Sequence, residues 1–111
     1  MSYGRYISMM DRLETLKQIV AQNPADIFAR YGLAMEHART GQFAEALAQC
    51  EAILGANPGY IAAWYQGGQA LERLGRCEDA KQFYRRGLEA TTKSGDGHAR
   101  DQLQAALDAL G

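Results

Sequence analysis

"IVAQNPADIFARYG", residues 19–32, and "ILGANPGYIAAWYQ", residues 53–66, hold the only two prolines of the chain, and each follows an asparagine. Pro24 and Pro58 are 34 residues apart, and sliding 23–56 onto 57–90 pairs identical residues along the whole unit. The matches are Asn23/Asn57, Pro24/Pro58, Ile27/Ile61, Ala29/Ala63, Tyr31/Tyr65, Arg39/Arg73, Gly41/Gly75, Ala46/Ala80, Leu54/Leu88 and Ala56/Ala90, with Glu45/Asp79 conservative in the same register. A period of this length marks a stacked repeat, in which each unit is one supersecondary element that cannot bury its apolar face alone.

Within a unit the pattern is helical. Arg30, Leu33, Ala34 and His37 share one face, spaced i, i+3, i+4 and i+7, and Phe43, Ala46, Leu47, Cys50, Ile53 and Leu54 share another. Between these halves "RTGQF" contains Gly41, and repeat two has Gly75 in "RLGRC". Glycine adopts the left-handed conformation that ends a helix, so each unit reads as two antiparallel helices joined by a tight turn. Each Asn-Pro reads as the hinge between hairpins. Proline cannot continue the preceding helix and is tolerated in the first turn of the next, with Asn (or, in repeat one, Asp26) as the cap.

The ends follow the same phase. "MDRLETLKQIVAQ" carries the stripe Leu13, Leu16, Ile19 and Val20, and reads as the second helix of a truncated unit. "GDGHARDQLQAALDALG" turns Leu103, Ala106, Leu107 and Leu110 inward, with "TTKSGDG" before it as a loop two residues longer than the other hinges. The expected layout is a flexible arm at 1–9, a leading helix at 10–22, repeat one at 24–57, repeat two at 58–92 and a closing helix at 97–110. Terminal elements need a polar outer face, and both ends are expected to have one, as a complete small protein would.

Composition narrows function. Twelve Lys+Arg against 13 Asp+Glu leave no basic stripe for nucleic acid, and the Lys81, Arg85, Arg86, Lys93 cluster is interleaved with Glu78, Asp79 and Glu89. No stretch approaches the roughly 20 apolar residues of a membrane span, and "MSYGRYISMM" lacks the apolar run of a secretory signal. A cytoplasmic location is expected, with Cys50 and Cys77 as free, largely buried thiols. Cys50, Cys77, His37 and His98 match no metal-ligand spacing, so no metal or other cofactor is expected. Ser94, scattered histidines and unpaired carboxylates form no nucleophile–base constellation; the chain reads as not an enzyme.

Leu33, Ala34, Gly41, Phe43, Ala46 and Pro58 in the first unit, and Trp64, Gly68, Gly75, Ala80 and Tyr84 in the second, give the chain its resemblance to the tetratricopeptide repeat family. Arg30 stands where that family has a Trp-like residue, Cys50 and Cys77 replace aromatics, Gly67 replaces a leucine and Thr92 stands where a third hinge proline would fall. The resemblance implies an all-α, right-handed superhelical stack of antiparallel helix hairpins, an α-solenoid of about six helices. It also implies a noncatalytic protein-binding scaffold or adaptor whose concave groove is lined by the first helix of each unit. Carried over, the groove residues are Phe28, Tyr31, Met35 and Arg39 in repeat one, and Tyr65, Gln66, Gln69 and Arg73 in repeat two, flanked by Gly32, Ala38, Ala62 and Glu72.

Tyrosine and arginine are enriched at binding hot spots. Tyr31, Met35 and Gln66 occupy the places where chaperone-tail binders of the family have a carboxylate clamp, so acidic chaperone tails are not the expected ligand. Helix spacings of about 8–10 Å give a groove of roughly 20 Å, enough for about six extended residues. A weak protein or peptide partner is therefore expected, with the chain a monomer or weak homodimer. The competing reading is a homo-oligomer whose groove is filled by its own or a neighbour's N-terminal arm, motivated by Tyr3, Tyr6 and Ile7.

Overall fold

The computed structural model describes residues 9–111, with side chains from Arg12 onward. Six helices follow one another: α1 (Met9–Gln22), α2 (Ile27–Arg39), α3 (Phe43–Ala56), α4 (Ile61–Arg73), α5 (Cys77–Ser94) and α6 (Gly97–Ala109). Residues 1–8 of the expected arm lie outside the described residues; Met9 opens α1. Each helix packs on the next. In addition the backbones of α2 and α4 and of α4 and α6 come close, whereas those of α1, α3 and α5 stay further apart. The chain is thus a two-layer solenoid with inner helices α2, α4 and α6 drawn together and outer helices splayed. That wedge makes the inner layer concave.

The hairpin turns come from the glycines. Gly41 and Gly75 hold φ of 80° and 77°, which costs a residue with Cβ dearly. Around Gly41, Gly41 N–H donates to Ala38 O (3.2 Å) and Gln42 N–H to His37 O (2.8 Å). Gly75 N–H to Glu72 O (3.0 Å) and Arg76 N–H to Leu71 O (2.8 Å) repeat the pair. These are Schellman closures, which satisfy otherwise orphaned carbonyls.

The hinges differ from expectation. Asn23 and Asn57 close the preceding helices, their N–H groups donating to Ile19 O (2.8 Å) and Ile53 O (2.7 Å). Each then starts a β-turn, with Asp26 N–H on Asn23 O (3.0 Å) and Tyr60 N–H on Asn57 O (3.1 Å). Proline sits at the second turn position, where its fixed φ is already correct; the next helix begins three residues after it. Asp26 caps α2 by accepting from Ala29 N–H at 3.0 Å, and Tyr60 at the same place in α4 makes no side-chain cap. Reversing direction between packed helices needs this extra turn.

Arg30 in the Trp-like position is also explained. Arg30 Nε donates to Pro24 O at 2.7 Å, and Trp64 Nε1 donates to Pro58 O at 2.7 Å. Two chemically unrelated side chains clamp the same hinge carbonyl.

The third junction is shorter than a seven-residue loop. Thr92 keeps the N–H that proline lacks, so α5 runs on through Ser94 and stops at Gly95, φ 74°. Asp96 then caps α6 through Ala99 N–H (3.0 Å). The extra residues lengthen a helix instead of a loop.

Gly67 and Gly68 admit aromatic rings. A Cβ on Gly67 would meet Phe83 Cε2 at 2.5 Å, and one on Gly68 would collide with the Tyr84 ring. The ring at Gly67 comes from the second helix of the same hairpin, with Cys50 Cβ of the preceding hairpin at 3.4 Å, and Trp64 meets Phe83 edge-on at 5.1 Å. Two mid-helix glycines cost about 1 kcal/mol each, and burying an aromatic side chain returns roughly 1.5–3 kcal/mol. The exchange favours glycine.

Two continuous clusters form the core, one around Leu47, Leu71, Tyr84 and Leu103 and one around Cys50, Ile53, Leu54 and Trp64. Cys50 is buried, and burial pushes its thiol up to about 12. Cys77, expected to be buried, is exposed because it opens α5 beyond the packed face.

Candidate functional site: the concave wall

The inner helices meet around a depression of about 300 Å³, lined by Tyr31 of α2, Ile61, Tyr65 and Gln66 of α4, and His98 and Gln102 of α6. Tyr31 and Tyr65 occupy the same position in successive repeats and come to the same wall. Both are half-buried and anchored from behind. Tyr31 lies 5.6 Å from the Tyr60 ring, and Tyr65 lies 6.2 Å from the Tyr84 ring. Burial, then the neighbouring Tyr60 hydroxyl, raise the Tyr31 hydroxyl above the usual tyrosine range, while Gln66 acts in the opposite direction. The hydroxyl is therefore a neutral donor and acceptor at physiological pH.

The remaining groove candidates divide. Phe28 and Met35 lie on α2, exposed, outside this depression. Arg39 is turned onto Glu36, Nη2 to Oε2 at 2.7 Å, and Arg12 of α1 reaches the other oxygen at 3.4 Å. These contacts, the Arg39 hydrogen bond first, hold the Glu36 carboxyl below the ordinary carboxylate range. Arg73 lies 4.5 Å over the Phe43 ring, a cation–π contact. The two arginines do not form a matched row.

Gln69 is occupied too, its Nε2 donating to the Tyr84 hydroxyl at 2.7 Å. That hydroxyl donates to the Glu72 carboxylate, and burial followed by Glu72 pushes its pKa well above the usual range. Gln69 and Glu72 thus satisfy a buried phenol. Tyr31, Tyr65 and Gln66, with the flanking Ala62, are the carried-over residues brought together.

His98 and Gln102 were missed by sequence reasoning. The signal was present: allowing for the two extra residues before α6, they fall where Ala62 and Gln66 fall in α4. The wall offers phenols, amides, one imidazole, the Asp96 carboxylate and an apolar floor, a set suited to holding a side chain with its flanking backbone. Among the described residues no group of three or more His, Cys, Asp or Glu could hold a metal ion.

A larger open depression of about 750 Å³ lies elsewhere, against Pro58, Trp64, Arg86, Glu89 and Lys93. It is lined by α5, the second hinge and Trp64 of α4, and its charges are of both signs. The Pro58 carbonyl inside it is already bound by Trp64. It does not draw on the repeated inner positions.

A concave inner layer of repeated helices, with matched aromatics converging on one depression, defines a helical-repeat interaction module. The family model for the tetratricopeptide repeat matches residues 37–107, and this chain belongs to the tetratricopeptide repeat family. It is similar to a tetratricopeptide repeat domain protein of Salinibacter ruber, known from a crystal structure. The two are 34% identical over 77% of this chain and 94% of that one, with a TM-score of 0.72. A Bordetella parapertussis protein with a solution structure is 32% identical over 88% of this chain and 85% of its own, TM-score 0.77.

The tetratricopeptide repeat domain of Sgt2 from Aspergillus fumigatus shares the fold, with TM-score 0.77 at 24% identity over 88% of this chain and 62% of that one. No curated protein matches. The family is a fold of interaction modules, generally noncatalytic, whose domains generally bind protein partners. No helix among the described residues is long and apolar enough to cross a membrane.

Proposed function

We propose that this chain is a noncatalytic adaptor that seats a short segment of a protein partner, extended or as a helix, on its concave wall. Tyr31, Tyr65 and Gln66 form the centre of the site, Gln102 and His98 its far side, and Phe28 and Met35 its near edge. Arg39, Gln69 and Arg73 support the wall through the contacts described above. The observation that carries the reading is the convergence of Tyr31 and Tyr65, repeat-equivalent residues, on one depression that the closing helix completes. Its volume takes one bulky side chain, which argues for a modest affinity. The chain acts in the cytoplasm, a reading supported by two unpaired thiols, one exposed.

The test is selection of short peptides from a displayed random library against the full chain, followed by calorimetry of the best binder. Truncating a hot-spot tyrosine costs about 1–2 kcal/mol or more, so Tyr31→Ala and Tyr65→Ala should each weaken the selected peptide about tenfold. Unchanged affinity in both variants would remove the concave wall from consideration.

A further inference from the structure

The depression between the inner helices is one-sided in charge. One carboxylate, that of Asp96, lines it, and no lysine or arginine does. The arginines of the inner helices are held elsewhere. Arg30 clamps the first hinge. Arg39 and Arg73 lie in the last turns of α2 and α4, Arg39 on Glu36 at 2.7 Å and Arg73 over the Phe43 ring. Gln66 and Arg73 are separated by a helix rise of about 10 Å. Arg100 of α6 is turned onto Asp101 at 3.4 Å.

Asp96 spends one oxygen on the fold. Its Oδ1 accepts from Ala99 N–H at 3.0 Å and caps α6, whereas Oδ2 has no partner among the described residues. The starts of α4 and α6 each bring about half a positive charge, and Asp96 meets the one at α6 with a full negative charge. The rest of the lining is aromatic and rich in acceptors: the hydroxyls of Tyr31 and Tyr65 and the amide oxygens of Gln66 and Gln102, over an apolar floor. Tyr60 and Tyr84 back the two phenol rings, and such rings attract a cation to their faces. An anion placed here would face Asp96 with no cationic side chain to receive it. A neutral side chain would use neither the carboxylate nor the charge distribution of the rings.

We infer that the partner side chain seated between Tyr31 and Tyr65 is an arginine. Its planar guanidinium lies against the phenol rings, and its fork of N–H groups donates to Asp96 Oδ2, the phenol oxygens and the amide oxygens of Gln66 and Gln102. This rests on the concave wall being the partner site, and it names the chemistry that site selects.

The probes are capped pentapeptides with arginine, its neutral isostere citrulline, or glutamate between flanking alanines, titrated into the full chain and followed by amide chemical shifts. The arginine peptide should shift Tyr31, Gln66 and Gln102. It should bind about tenfold more tightly than the citrulline peptide, from a cation–π contact and an exposed ion pair together, and the glutamate peptide should bind most weakly. Asp96→Asn keeps a capping side chain and should reduce the arginine-to-citrulline ratio to about threefold. Citrulline matching arginine, or a ratio that Asp96→Asn leaves unchanged, overturns the inference. So does a library-selected peptide that holds the wall with undiminished affinity after its basic residues are replaced by alanine, an outcome that leaves the adaptor reading standing. The adaptor reading fails separately, when Tyr31→Ala and Tyr65→Ala leave the affinity of the selected peptide unchanged.

Discussion

Repeat one and repeat two share a backbone and fill it with opposite distributions of side-chain volume. In repeat one the first helix carries Leu33 and Ala34, and the second carries Gln49 and Cys50 at the facing level. In repeat two the same four positions are Gly67, Gly68, Phe83 and Tyr84, so the bulk has moved across the hairpin interface. The hinge shows the same freedom, with a guanidinium in one repeat and an indole in the other on the equivalent proline carbonyl. The repeat therefore constrains the space between helices and the bonds at its corners. Which helix supplies the atoms is left open, as expected where volume-conserving exchanges are tolerated best.

The largest effect should come from deleting the displaced bulk. Tyr84→Ala empties a fully buried site and should cost about 3–5 kcal/mol, read from urea unfolding. Its counterpart Cys50→Ala should cost about 1 kcal/mol, and equal losses would deny that repeat two concentrates its packing in α5. Next in size, Gly67→Leu restores the residue of repeat one against an unmoved Phe83 and should destabilise by about 1–3 kcal/mol. Adding Phe83→Gln, so that repeat two carries the pair found in repeat one, should recover at least about 1 kcal/mol as a coupling between neighbours. Strict additivity in that cycle would break the comparison.

Smaller again, Arg30→Ala removes the hinge clamp and the 2.9 Å bond from Nη1 to Gln49, at a part-exposed site. About 1 kcal/mol is expected, with faster amide exchange at Asp26 as the local sign. The smallest effect concerns pH. The Glu36 carboxyl is held below its unfolded value by Arg39 and Arg12. Its contribution is therefore present above the ordinary carboxylate range and lost as pH falls through the lower folded value. Glu36→Gln should slightly reduce stability at neutral pH and show a shallower acid loss than the parent chain; parallel pH profiles would assign Glu36 no role in docking α1.

The period, the two glycine turns and the helix count could be read because each depends on local rules: spacing of apolar residues, left-handed glycine, proline as helix breaker. Tyr31 and Tyr65 could be placed on one wall because an exact repeat carries equivalent positions to equivalent places. What escaped depended on partners distant in sequence. Gly67 needed Phe83, and Gln69 was already committed to a phenol 15 positions on. His98 and Gln102 were hidden by two extra residues whose effect was to lengthen α5. Phe28 and Met35 are exposed on an inner helix that, among the described residues, packs against another inner helix only on the α4 side, which no spacing rule registers.

The central claim is that the repeats are stacked so that their equivalent inner positions form a single partner-binding wall. Amide chemical-shift mapping of the full chain with a selected peptide tests it most directly. The account predicts that the largest shifts cluster on the inner faces of α2, α4 and α6, around Tyr31, Gln66 and Gln102. Shifts concentrated on the outer helices, or around Trp64, Arg86 and Lys93, would contradict it.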